Sequence, residues 1–202
     1  MSIYFHSAFG LNRLYMVNIL KLALENPSLK DAELAKPFGY RVPFAAKYRS
    51  WLNKCGIVEP GFPVRLTEMG KTIWENDPQF DSIVTQWFMH HELTQHPTRV
   101  ETWHFFAYEF LPAHEKFTRE DLTKALMQKL SSHSIKHFGP GSKMTPVIAR
   151  KLIECYTEGK ALGRLQILRK DGKLLVRIKE TSILGQWKTV EELIAAYQKN
   201  RE

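Results

Sequence analysis

Hydrophobic and aromatic residues recur along this chain mostly at the three-and-four spacing of helices, and most densely from Asp77 to Phe110. After Asp77-Pro78, the residues Phe80, Ile83, Val84, Trp87, Phe88 and His91 share one helical face, which predicts burial. Pro97 breaks that helix. Thr98 and Glu101 then have the spacing of a capping box for a second helix from Arg99 to about Phe110, whose Trp103, Phe105, Phe106, Tyr108 and Phe110 cover more than one face. The two arms read as a central helical hairpin.

Before this hairpin, Leu11 to Leu24 reads as a helix ending at Asn26-Pro27. Ser28 with Asp31 caps a short second helix, and Pro43 suits the first turn of a third, about Pro43 to Lys54. That third helix packs through Phe44, Tyr48, Trp51, Leu52 and Cys55 and projects Lys47, Arg49, Ser50, Asn53 and Lys54 outward. Ile57-Val58 and Val64-Leu66 then predict two short strands around a Pro-Gly loop, the order of a winged helix. Leu66-Thr67-Glu68-Met69-Gly70 resembles the run that closes many winged-helix repressors.

The last third repeats the scheme. Thr118 and Asp121 cap a helix through Leu130, Ser131 to Ser142 is a candidate mobile loop, and Thr145-Pro146 open another helix through Tyr156. Arg164 to Lys179 reads as a hairpin turning at Asp171-Gly172, with Leu165, Ile167, Leu174, Val176 and Ile178 inward and Arg169, Lys170 and Lys173 at its tip. Thr189 to Gln198 adds a terminal helix. The expected fold is mainly α with small β-hairpins: winged-helix-like lobes over 1–75 and 117–202, joined by the central aromatic hairpin over 76–116.

Charge sharpens this picture. The chain has 202 residues and a formal net charge of +8. Residues 1–70 contribute +4, residues 71–120 contribute −4 and residues 121–202 contribute +8, so two basic lobes flank an acidic, aromatic middle. That distribution fits ends that meet a polyanion, and it also fits a basic surface that serves solubility alone. The polyanion reading points to duplex DNA. Its candidate contacts are Arg41, Lys47, Arg49, Ser50, Asn53, Lys54 and Arg65 in the first lobe and Lys143, Arg150, Lys151, Arg169, Lys170 and Lys173 in the last. Arg49, Ser50 and Asn53 would read base edges, and the hairpin cations would hold phosphate.

The start, Met1 to Phe9, lacks a signal-peptide layout, and no run of about 18 apolar residues occurs, which leads to the expectation of a cytoplasmic protein without a membrane partner. Cys55 and Cys155 lack the spacing of zinc or redox pairs and read as small buried hydrophobes. His91-Glu92 followed by His96 approaches a metalloprotease motif, but the second His comes five residues on instead of four, and Pro97 ends the helix there. No catalytic, cofactor or metal site is expected.

The run Asp77-Pro78-Gln79-Phe80-Asp81, then Thr85, Trp87, His90 and Leu93, then Thr102-Trp103 with Phe105 and Phe106, and Phe117 before Leu122, resembles bacterial domain-of-unknown-function family number four thousand and seven. Phe5-His6-Ser7-Ala8-Phe9 is similar to that family's opening motif in weakened form, and Glu92 stands where the family usually has a second His. Members are encoded near DNA phosphorothioation and other phage-defence genes, often beside a sulfurtransferase. The resemblance implies a non-catalytic DNA-binding component of a modification or defence system. The alternative is an adaptor that recruits a sulfurtransferase or nuclease. Other defence-system proteins and a second copy of the chain are further candidate partners.

Overall fold

The computed structural model describes residues 3–179 and 186–200. The fold is mainly helical with one small three-stranded antiparallel sheet. It divides into two compact units. The division falls between Leu93 and Thr94, so the two arms of the anticipated hairpin lie one in each unit.

The first unit takes residues 5–93 and the C-terminal helix. Asn12 caps α1 (Arg13–Glu25) by accepting from the Tyr15 amide. The helix buries Met16, Ile19 and Leu20 but leaves Leu14 exposed. A short α2 (Asp31–Ala35) follows, opened by the Glu33 carboxylate accepting from the Lys30 amide at 2.7 Å instead of by Ser28. After the left-handed Gly39 comes α3 (Val42–Lys54), with Pro43 in its first turn. Its Phe44, Tyr48, Trp51 and Leu52 pack as the spacing predicts. Tyr48 and Trp51 also donate to the carbonyls of Gly10 and Phe9, fixing α3 on the segment before α1. The two strands expected after α3 reduce to a single antiparallel bridge, Val58 with Leu66, because the loop between them carries two prolines, which supply no ladder donor. Thr67 then caps α4 (Glu68–Asn76).

Helix α5 (Ile83–Thr94) begins later than its apolar spacing suggests. Phe80 is buried, but in a turn with φ of +56° ahead of the helix. That turn is organised by Asp77, whose carboxylate accepts from the amides of Asp81 and Ser82. At the far end of the chain, α11 (Val190–Lys199) is capped by Thr189 and packs on α4.

The second unit takes residues 94–179 together with residues 3–4. Thr98 does not cap here. The amides of Arg99 and Val100 both donate to the His96 carbonyl, which leaves Thr98 inside a turn, and α6 (Glu101–His104) starts beyond it. The chain continues as a π-helical stretch, Phe105–Phe110, into α7 (Leu111–Ala113). Pro112 has no amide to donate, and the widened turn lets the Leu111 amide reach the Phe106 carbonyl instead. The stretch aims Phe106 and Phe110 at Phe117, with Phe106 also stacked on Tyr156. Trp103 is buried beside them.

Strand β1 (Lys116–Thr118) leads into α8 (Arg119–Leu130), whose Thr118/Asp121 capping box forms as expected. The anticipated mobile loop holds a turn of helix, α9 (Ile135–Phe138), capped by Ser134 and anchored by buried Phe138. α10 (Met144–Thr157) packs on α8. β2 (Leu168–Asp171) and β3 (Leu174–Arg177) form the predicted hairpin, and β3 lies between β2 and β1. The inward side differs from expectation. Leu175 and Val176 are buried, Leu174 is 42% exposed and Ile178 is exposed too, because β1 pairs Phe117 with Leu175 and draws that position into the core. Both cysteines are free and buried. Among the described residues, no helix is long and apolar enough to cross a membrane.

Candidate nucleic-acid interface

On α3 the side opposite Phe44 and Trp51 is only partly available. Arg49 donates from Nε and Nη2 to the two carboxylate oxygens of Asp31 at 2.7 and 2.8 Å, a forked pair of the strongest type. Its guanidinium also lies 3.9 Å from the centre of the Phe62 ring, and Lys30 stands 4.7 Å from the same ring. Arg49 therefore ties the loop after α3 back to α2. Asn53 donates its amide to the Val58 carbonyl at 3.0 Å. Of the expected groove readers, Arg49 thus has its fork on Asp31 and Asn53 has its amide on the backbone. Ser50 and Lys54 are half-buried. Arg41 and Arg65 are exposed, Lys47 is half-buried, and among the described residues none of the three has an ion pair. Beside Arg41 the Tyr40 ring lies flat on Phe44, with centroids 4.3 Å apart.

The second unit offers its cations more openly. Arg169, Lys170 and Lys173 are all exposed at the tip of the hairpin, as expected, without ion pairs among the described residues. Lys143 is exposed just before α10. Arg150 is exposed, as expected, at 3.7 Å from Glu154, whereas Lys151 pairs with the same carboxylate at 2.6 Å and is largely buried. Their spacing to Glu154, three and four residues on, is the helical ion-pair spacing and foretold this use. Arg119, absent from the contacts expected on sequence, lines a cavity of about 610 Å3 with Arg150, Lys170 and Lys173. The signal was its place directly after the Thr118 cap, where a side chain sits on the rim of the helix start.

The polar residues of the central motif are interior. Thr85 is buried and donates to Asp77 at 2.5 Å, so its oxygen must accept from the buried Tyr197 hydroxyl, 2.6 Å away. Burial pushes the Tyr197 phenol above its ordinary value, with the Asp77 charge adding to the rise. Arg13 is buried, donates to the Phe80 carbonyl and pairs with Asp81 at 2.5 Å. His104 and His114 donate from Nδ1 to the carbonyls of Thr94 and Phe110, and His133 meets Glu101 at 2.9 Å. Among the described residues, no group of three or more His, Cys, Asp or Glu could hold a metal ion. In the second unit burial pushes the pKa of the Cys155 thiol up to about 12.

A family model described as "Protein of unknown function (DUF4007)" matches residues 43–144, from the start of α3 to the start of α10. No curated protein and no solved structure matches the chain.

Proposed function

The chain belongs to the DUF4007 family, and from that footing we propose that it is a non-catalytic duplex-DNA-binding component of a bacterial modification or phage-defence system, acting in the cytoplasm. In this reading both units are winged-helix-like. In the first, α2 and α3 form the helix-turn-helix on α1, and the Val58 to Leu66 turn is a reduced wing. In the second, α8 and α10 pack beneath a sheet of order β1-β3-β2, with the β2–β3 hairpin as wing.

The observation that carries the proposal is the hairpin tip, where Arg169, Lys170 and Lys173 are exposed and outnumber Asp171, and make no ion pair among the described residues. Such cations hold a duplex by its phosphates without reading its sequence. Arg41, Lys47 and Arg65 would serve likewise on the first unit. With Arg49 and Asn53 engaged internally, binding is dominated by the backbone.

The test is a salt titration of duplex affinity for the wild type and the Arg169→Ala/Lys170→Ala/Lys173→Ala variant. The variant should keep its melting temperature, and its log-log salt slope should shrink by about 0.9 for each phosphate that is no longer neutralised. Unchanged affinity and slope in the folded variant would sink the proposal.

A second reading, a protein adaptor, draws on the largely apolar groove between α5 and α11, about 650 Å3, lined by Ile83, Val84, Trp87 and Trp187. It gains if the hairpin variant binds duplex normally and a Val84→Asp variant, still folded, loses a stoichiometric defence-system partner.

A further inference from the structure

We propose that the cavity enclosed by the first turn of α8, the outer side of α10 and the tip of the β2–β3 hairpin binds a phosphomonoester of nucleotide size. Two sources share this chemistry, a free nucleoside monophosphate and the 5′-phosphate end of a DNA strand. The volume, about 610 Å3, lies in the range of small-ligand sites. The inference goes beyond duplex binding, because such a ligand needs neither a second strand nor a groove.

The lining is mixed in charge, and the pairing within it decides the sign. Glu120, Glu154 and Glu158 line the cavity with Arg119, Arg150, Lys170 and Lys173. Bare carboxylates would repel an anion, but each already has a cation. Lys151 holds Glu154 at 2.6 Å, Lys160 holds Glu158 at 3.1 Å, and Arg119 stands 3.5 Å from Glu120. Lys170 and Lys173 flank exposed Asp171 but make no ion pair among the described residues. Arg150 can also be spared: it lies 3.7 Å from Glu154, which remains neutralised by Lys151 when Arg150 turns away. The Arg119 pair is exposed and weak for the same reason that most surface pairs are.

Cations thus converge on one concave space from three elements. A terminal phosphate carries close to two charges and three free oxygens, so it can satisfy such a ring more fully than a diester passing along a duplex. Gly172 at the turn has φ of +59°, and nothing lies within 4 Å of where a Cβ would project, so the tip is unobstructed. Ile153, Leu174 and Leu175 supply an apolar wall for the body of the ligand, and Leu174 is 42% exposed there.

The experiment is calorimetric titration of the full chain at low salt with dAMP as probe. Wild type should bind it saturably at one site. Arg150→Ala should weaken binding tenfold or more, while Lys124→Ala, an equal loss of charge on α8 outside the cavity, should leave it unchanged. Glu154→Gln should tighten binding severalfold by freeing Arg150, a gain that structural damage cannot mimic, and a loss there in the folded variant would overturn the proposal. Duplexes that differ only in a 5′-phosphate or 5′-hydroxyl separate the sources. A preference for the phosphorylated end that Arg150→Ala abolishes assigns the strand end, and dAMP binding without that preference assigns the free nucleotide. If dAMP does not bind and the two duplexes bind equally, the cavity proposal fails while the duplex reading stands.

Discussion

Arg49 provides the sharpest test of whether the outward side of α3 is a DNA contact or a structural tie. Two charge-assisted bonds of 2.7 and 2.8 Å join it to Asp31, and the side chains are only 19% and 16% exposed. Breaking a fully buried pair costs about 3 to 5 kcal/mol because the partner charge is stranded, whereas exposed pairs contribute about 0 to 1 kcal/mol. A pair at this depth falls between, so removing Arg49 strands Asp31 at a cost of about 2 kcal/mol. Removing its stacking on Phe62 adds about 0.5 to 1 kcal/mol. Arg49→Ala should therefore destabilise by about 2 to 3 kcal/mol, a sizeable part of the roughly 5 to 15 kcal/mol that holds a protein of this size. In urea, with slopes of about 1 to 3 kcal/mol/M, the midpoint should drop by about 1 M or more. Arg49→Lys should recover only part of the loss, since an ammonium cannot make the fork. A double-mutant cycle with Asp31→Asn should return a coupling of about 1 to 2 kcal/mol. If Arg49→Ala unfolds at the wild-type midpoint and binds duplex more weakly, the tie is wrong and Arg49 belongs to the interface.

In the second unit, Trp103→Ala should cost about 3 to 5 kcal/mol, since the ring is wholly buried; a loss under about 1 kcal/mol in equilibrium unfolding would contradict its place in the core. Stability should also decline in alkali. Burial raises the Cys155 thiol from 9.0 to about 12 and raises the Tyr48 and Tyr197 phenols above 10.0. These groups stay neutral in the folded chain but ionise when it unfolds, so their contribution is full below about pH 9 and is lost as the pH climbs toward the folded values. A melting temperature that stays flat from pH 8 to 11 would refute this.

Local signals were the legible ones. The Thr118/Asp121 box, the Pro43 start of α3 and the Asp171-Gly172 turn depend on residues within a few positions of one another, and each formed where its spacing placed it. Features that depend on a distant partner were not legible. The three-residue β1 has no pattern of its own and exists because β3 offers an unpaired edge to it. A helical wheel placed Arg49 on the outward side of α3 but could not show Asp31 opposite it, eighteen residues earlier. Leu174 looked inward by alternation from Val176, yet the pairing of Phe117 with Leu175 set the buried side. Ser131 to Ser142 read as mobile from its polar composition, while a single buried Phe138 and the Thr145 hydroxyl on its carbonyl hold the segment down.

The motif residues on which the sequence resembles the family and those that would carry DNA binding are largely different sets. Asp77, Phe80, Thr85, Trp87, His90, Trp103 and Phe106 are buried, and Asp77 and Thr85 take part in an internal network that reaches Tyr197. Such residues specify how the chain folds, and replacing any of them strands a buried polar group or opens a cavity. Loss of an activity in those variants would report loss of the fold. The hairpin cations and Arg41 lie outside residues 43–144, and within that span Lys47, Arg65 and Lys143 are accessible cations. Family membership therefore speaks for the shared scaffold, whereas the duplex-binding proposal rests on surface positions whose replacement leaves the scaffold standing. A folded protein with altered salt dependence is the informative result, because counterion release responds to phosphate neutralisation and not to packing.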